Sequence, residues 1–353
     1  MRNSAGKPIA GVLAVTALLM ISARGASVES DASSDPGPMV GFNSKGTLNT
    51  IEQVEMLRSE LRARENAHRL VLRVDGGTRS QRTYPADWTD EMLQEWVSIQ
   101  QEFGCKFILN PNFNDTPQSQ FALYQRWRAA GAEFFLVELM NEPYLPKFRR
   151  AHDHPQNIRA RRVEVTPVTE FMTPQKYIEL ATGFVRAFRG EGIPFAAALA
   201  PERDGNPGRI YAAWNNAVIE ELNKHANIHA TLHLYQRPGE TLDLEQIDRI
   251  KQRIGAKHLY ITEAGVLGYT VSYDDFIEME VSLLAGIMDR LEPEDLLLSQ
   301  VLYNDYRRTY EASFHPNWSG ITPKGAAILD LFGLRKKPDP PSDTGDVSDP
   351  EEE

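Results

Sequence analysis

Between Met39 and Arg335 short apolar runs alternate with longer amphipathic stretches. The apolar runs are Met39–Asn43, Arg69–Gly77, Lys106–Asn112, Glu133–Asn141, Pro194–Pro201, His229–Tyr235, His258–Ala264 and Leu296–Asn304. Several of them, such as Phe195–Ala200, are apolar at every position, as strands buried on both faces of a parallel sheet are. The stretches between them carry helical periodicity. Ile51–Asn66 puts Ile51, Val54, Leu57 and Leu61 on one face, and Asp90–Phe103 follows Thr89 as N-cap and stops before Gly104. Ser119–Ala130, Thr173–Arg189 with Pro174 in its first turn, Arg209–Ala226, Leu244–Ile254, Tyr273–Leu291 and Thr322–Phe332 complete the series.

Eight strand–helix units with right-handed crossovers predict an α/β protein, a closed (β/α)8 (TIM) barrel in a single domain. An open doubly wound sheet is the alternative. Its first strand–helix turn would need a glycine-rich phosphate cradle, and Gly41-Phe42-Asn43-Ser44 lacks that spacing.

The chain ends fall outside this pattern. Residues 1–27 carry Arg2 and Lys7, an apolar stretch from Pro8 to Ile21 and then small residues, which is the pattern of a cleaved secretory signal peptide. The stretch is shorter than the roughly 20 residues a spanning helix needs, so no membrane span is expected in the mature chain, which would be secreted or periplasmic. Residues 28–38 read as a linker, 39–335 as the catalytic domain and 336–353 as an acidic, disordered tail. One cysteine, Cys105, excludes an internal disulfide framework and a cysteine-rich zinc site.

The net charge of -11 argues against nucleic acid as a partner. Seven of its acids lie between Asp339 and Glu353, whereas the stretch from Lys147 to Arg162 holds six Lys and Arg, Arg149 and Arg150 among them, against the single acid Asp153. Arginine binds carboxylate and sulfate in bidentate fashion, so this basic loop suggests an anionic, uronate-bearing or sulfated polysaccharide such as an algal glycan.

In a barrel the chemistry gathers at the C-terminal strand ends. There Glu142 and Glu263 each close an apolar run, and two carboxylates facing across a pocket suit glycosidic cleavage. Pro143 pushes the residue before it toward extended backbone, so Glu142 is expected to project straight off strand four. Asn141 and Asn112 offer amides to sugar hydroxyls, and His233 and Tyr235, two apart on one strand, share a face.

These positions resemble the clan A superfamily of retaining glycoside hydrolases. Asn141-Glu142-Pro143 matches its Asn-Glu acid/base on strand four, Thr262-Glu263 its strand-seven nucleophile, and Arg73 and His233-Leu234-Tyr235 its strand-two and strand-six features. The run Arg73-Val74-Asp75-Gly76-Gly77 and the helix start Ile321-Thr322-Pro323-Lys324-Gly325 are also similar to clan members. The resemblance implies double displacement, with no cofactor and no metal, and a polysaccharide or oligosaccharide as the partner. Many members carry a strand-eight tryptophan; Tyr303 stands there in this sequence. Trp88, Trp214 and Trp318 are further candidates for a sugar platform. Two rival readings stay open: a metal-dependent barrel isomerase or hydrolase ligating through Glu142, His233 and Glu263, and a non-catalytic carbohydrate-binding barrel.

Overall fold

The computed structural model describes residues 37–43, 51–74, 76–145, 172–202, 205–268, 270–299 and 320–337. Eight strands close a parallel barrel in chain order. They are β1 (Met39–Asn43), β2 (Leu70–Val74), β3 (Lys106–Leu109), β4 (Phe134–Leu139), β5 (Phe195–Leu199), β6 (Ile228–Gln236), β7 (Leu259–Val266) and β8 (Leu296–Ser299). β1 pairs with both β2 and β8, which shuts the cylinder and excludes the open sheet.

Eight α-helices lie among the described residues: α1 (Ile51–Arg62), α2 (Asp90–Phe103), α3 (Pro117–Ala129), α4 (Pro174–Ala187), α5 (Gly205–Leu222), α6 (Glu245–Ile254), α7 (Tyr273–Met288) and α8 (Pro323–Leu331). Three of them start alike. Thr116, Thr173 and Thr322 accept backbone N–H bonds from Ser119, Lys176 and Gly325, and each is followed by a proline at the first helical position. The threonine satisfies an otherwise orphaned donor, and the proline's fixed φ suits the first turn.

Strand alternation sorts the core into two. Residues such as Leu70, Leu72, Phe107, Val137, Phe195 and Leu232 face the helices. A separate set, Val71, Ile108, Leu136, Ala196, Tyr260, Leu296 and Leu298, fills the lumen. Two residues further along four of those strands the lumen turns polar, at Arg73, Asn110, Glu138 and Thr262, all buried. Below is a dry plug and above it a site.

Gly41 lets β1 and β2 approach closely, since a Cβ there would sit 1.8 Å from the Val71 carbonyl oxygen. No helix among the described residues is long and apolar enough to cross a membrane. The signal-peptide segment, the basic loop with Arg149 and Arg150, Tyr303, Trp318 and the tail beyond Lys337 lie outside the described residues; Lys336 and Lys337, assigned to that tail, instead pair with the chain at Arg64 and Ala63.

Candidate active site

Arg73, fully buried on β2, organises the top of the lumen. Its guanidinium donates to Glu138 through Nε and to Glu263 Oε1 through Nη1. Nη1 also reaches Asn43 Oδ1 at 3.0 Å, and Nη2 reaches Asn141 Oδ1 at 3.0 Å. Burial alone would disfavour the cation, but Glu138 and Glu263 outweigh it and hold the Arg73 pKa above its ordinary value. Gly76 makes room for this knot, because a Cβ there would lie 1.7 Å from Asn43 Oδ1 and 3.1 Å from Arg73 Cδ. That gives the Arg-x-x-Gly-Gly run a steric reason.

Glu263 is held from both sides. Arg73 takes Oε1, and the Tyr235 hydroxyl donates to Oε2. A kink in β7 aims it inward. The register with β6 passes from Leu232↔Ile261 directly to His233↔Glu263, so Thr262 is an extra residue. Such a bulge re-aims side chains, and here Thr262 and Glu263 both point into the lumen.

Glu142 stands on a different local structure from the one its proline suggests. β4 ends at Leu139, and Met140 (φ 72°) and Glu142 (φ 45°) both adopt left-handed backbone. Glu142 is therefore not extended. A tight turn, with Met140 N–H on the Glu138 carbonyl at 3.1 Å and Leu145 N–H on the Glu142 carbonyl at 3.0 Å, overrides the pre-proline preference. Non-glycine residues at positive φ cost about 1–3 kcal/mol each and persist where surrounding contacts enforce them, often at functional sites.

His233 stands between the carboxylates. Its Nδ1 lies 3.4 Å from Glu142 Oε1 and 3.8 Å from Glu263 Oε2, while Nε2 faces Thr262 Oγ1 at 3.1 Å and Glu138 Oε1 at 3.5 Å. Burial pushes its pKa down, but Glu263, Glu138 and Glu142 prevail and raise it to about 9. That favours the protonated ring at neutral pH. Arg73 and Tyr235 already engage both Glu263 oxygens, which disfavours the metal-dependent reading. Among the described residues no group of three or more His, Cys, Asp or Glu is placed to hold a metal ion.

Arg73, Asn141, Glu142, His233, Tyr235 and Glu263 are thus brought together. Asn112 is not: its amide donates to the Thr83 carbonyl at 3.1 Å and accepts from Asn114 N–H at 2.8 Å, fastening the loops after β2 and β3. Trp88 packs edge-on against Trp127 at 5.0 Å, and Trp214 donates to the Ala198 carbonyl at 2.9 Å. Both are buried, so neither is a sugar platform.

Glu138, Asn43, Asn110 and Thr262 belong to the site without having been singled out in the sequence. Glu138 carried a readable signal, being a carboxylate inside Phe134–Met140 on the same strand face as inward Leu136. Beside Tyr235 opens a cavity of about 250 Å³, lined by Gln236, Thr241, Glu202, Glu240 and Asp243. Arg249 on α6 pairs with Glu202 at 2.6 Å and Asp243 at 2.5 Å.

The closed barrel with its polar end defines a (β/α)8 protein. An α-L-arabinofuranosidase of family 51 from Bifidobacterium longum superposes with a TM-score of 0.50 at 13% identity, over 76% of this chain and 68% of that one. An exo-β-1,3-glucanase of family 128 from Aureobasidium namibiae gives 0.48 at 10% identity, over 85% and 97%. An endo-1,4-β-xylanase from Caldicellulosiruptor owensensis gives 0.48 at 9% identity, over 85% and 97%. At these identities the likeness is one of fold. No family model matches the chain. No curated protein matches it in sequence.

Proposed function

We propose that this protein is a retaining glycoside hydrolase acting on a polysaccharide or oligosaccharide, with Glu263 as nucleophile and Glu142 as acid/base. The arrangement around Glu263 carries the reading. A carboxylate held by Arg73 through one oxygen and by Tyr235 through the other is kept ionised and aimed, as a nucleophile needs to be. Glu142 is the more accessible carboxylate, its side chain 12% exposed against 2% for Glu263, which suits a group that must pass a proton to the leaving oxygen and later take one from water. Asn141 Nδ2, buried and without a partner among the described residues, is placed to donate to a sugar hydroxyl.

In the first step the Glu142 proton moves to the glycosidic oxygen, the C–O bond breaks, and a Glu263 oxygen bonds to the anomeric carbon. In the second, Glu142 deprotonates a water that attacks the same carbon, freeing Glu263 and restoring the starting anomer. The two carboxyls are expected about 5–5.5 Å apart. Following the product anomer by NMR on a panel of neutral and acidic polysaccharides tests the reading. Inversion, or undiminished turnover by Glu263→Ala, would overturn it.

The finer substrate class rests on charge. The six bases from Lys147 to Arg162 follow Glu142 directly in sequence and support an anionic glycan. Equal turnover of neutral and anionic glycans by wild type and an Arg149→Ala/Arg150→Ala variant would exclude that preference. The basic, then apolar, then small-residue start of the chain supports export. Mass spectrometry of exported protein should find the first 25–27 residues removed, and an intact Met1 would exclude cleavage.

A further inference from the structure

We propose that Glu138 is the positioning residue of this site, holding Arg73 and His233 from beneath and so fixing the charge and orientation of both catalytic carboxylates; this rests on the glycosidase reading above. Glu138 is completely buried on β4. Its Oε2 accepts from Arg73 Nε and from Asn110 Nδ2 at 3.2 Å. Its Oε1 accepts from Thr262 at 2.8 Å and Thr231 at 3.2 Å, and faces His233 Nε2 at 3.5 Å. β2, β6, β7 and the residue just after β3 thus all send donors to this one carboxylate.

The geometry is the same for both cations. Arg73 rests its Nε on Glu138 and turns its two Nη groups to Glu263 and Asn141. His233 rests its Nε2 edge on Glu138 and turns Nδ1 to Glu142 and Glu263. Each cation has one end anchored below and the other end on the catalytic groups. Glu138 touches neither reacting carboxylate and acts through these two side chains.

Charge balance gives the anchor a consequence. The site joins two cations, Arg73 and His233, to three carboxylates, Glu138, Glu142 and Glu263. Among the described residues that set, fully ionised, carries one negative charge in excess. Double displacement needs one proton on the catalytic pair at the start. Without the charge on Glu138 the negative potential that favours holding a proton in the site is weaker.

Among the described residues the ionisable groups facing His233 are Glu138 from β4, Glu142 from the turn after it, Glu263 from β7 and Tyr235 from its own strand; β5 sends none. Glu138 is itself kept ionised. Burial opposes its charge, but Arg73, His233 and the Thr262 hydroxyl hold its pKa below the usual carboxylate range.

Glu138→Gln, nearly the same in shape, separates this role from a purely structural one. Nitrogen-15 NMR of histidine in the full-length protein follows the His233 titration with no need for turnover, and the pH profile of hydrolysis follows the catalytic pair. His233 should titrate about 1–3 pH units lower in the variant. The alkaline limb of kcat/KM should move to lower pH by a similar amount, with kcat reduced at least tenfold and KM little changed. An unmoved His233 titration overturns the proposal, as does an unmoved alkaline limb in an active variant. If wild type hydrolyses no glycan while His233 still moves, the glycosidase reading falls and the hold of Glu138 on His233 stands. If Glu138→Gln does not fold, Asn110→Asp and Thr262→Val, which perturb the same carboxylate from one side each, must shift the His233 titration; no shift in either overturns the proposal.

Discussion

Thr262 and Glu263 are neighbours in the chain, yet both turn their side chains into the barrel, Thr262 to Glu138 at 2.8 Å and Glu263 to Arg73. A regular strand would send one of them outward among the helices. The bulge in β7 therefore builds two storeys of the site from consecutive residues. Thr262→Val keeps the shape and removes the hydroxyl. A hydrogen bond to a charged group contributes about 1.5–3 kcal/mol, so urea denaturation should find a loss of that size, and kcat/KM should fall roughly tenfold.

Among the described residues the Tyr235 hydroxyl makes one hydrogen bond, to Glu263 Oε2. Tyr235→Phe should fold with unchanged circular dichroism and lose about 10- to 100-fold in kcat, the range expected when one charge-assisted hydrogen bond disappears. Full activity in this variant would remove tyrosine from the set that orients the nucleophile.

Gly76 offers a test in which no polar atom is touched. The methyl of Gly76→Ala would overlap Asn43 Oδ1, so Asn43 must leave Arg73. Overpacking costs about 1–3 kcal/mol, and activity should drop with it. Reducing residue 43 as well, in Gly76→Ala/Asn43→Gly, should recover part of the stability without recovering the activity. Activity without loss in the single variant would mean that Asn43 is not needed to orient Arg73.

Two histidines set opposite limits on stability. The folded-state pKa of His233 is raised from an ordinary 6.5 to about 9, so its stabilisation is complete below pH 6.5 and is lost as pH rises through 9. The full effect is on the order of 3 kcal/mol. At the other end of β6, burial and then the neighbouring His258 and Lys257 depress His229 to about 4, and the backbone N–H of His258 donates to its Nδ1 at 3.1 Å. Its contribution is present above pH 6.5 and is lost as pH falls toward 4. Thermal melts across pH 4–10 should therefore fall on both sides. His229→Gln should flatten the acid side alone.

Cys105 is buried, and burial pushes its thiol up to about 12. Iodoacetamide at pH 8 should leave the folded protein unmodified and label it stoichiometrically in denaturant. Rapid labelling in buffer would mean that the segment joining α2 to β3 opens.

Much of this was readable before any coordinates. The alternation of apolar runs fixed the number and order of strands, and the limits of α2 with Thr89 and Gly104 followed from capping chemistry alone. Elsewhere the helix starts moved. α3 begins at Pro117, two residues before its apolar pattern, because Thr116 caps it. The six site residues that strand ends pointed to do converge. What stayed hidden depended on contacts across the lumen. A strict two-residue period puts Thr262 and Glu263 on opposite faces, so the bulge could not be anticipated. Asn43 and Asn110 look like ordinary strand-end amides until Arg73 and Glu138 are in place. Glu142 was read from its proline, yet the turn through Met140 decides its backbone.

Seven apolar side chains fill the barrel below Arg73 and Glu138. Among the described residues that layer is mostly hydrocarbon, which favours exchange of protons and water at the polar end of the barrel. Glu138 and Glu263 are almost sealed, and of the three carboxylates Glu142 alone keeps appreciable contact with solvent. The carboxylate proposed to exchange a proton twice per turnover, Glu142, is thus the one of the three best placed to meet solvent.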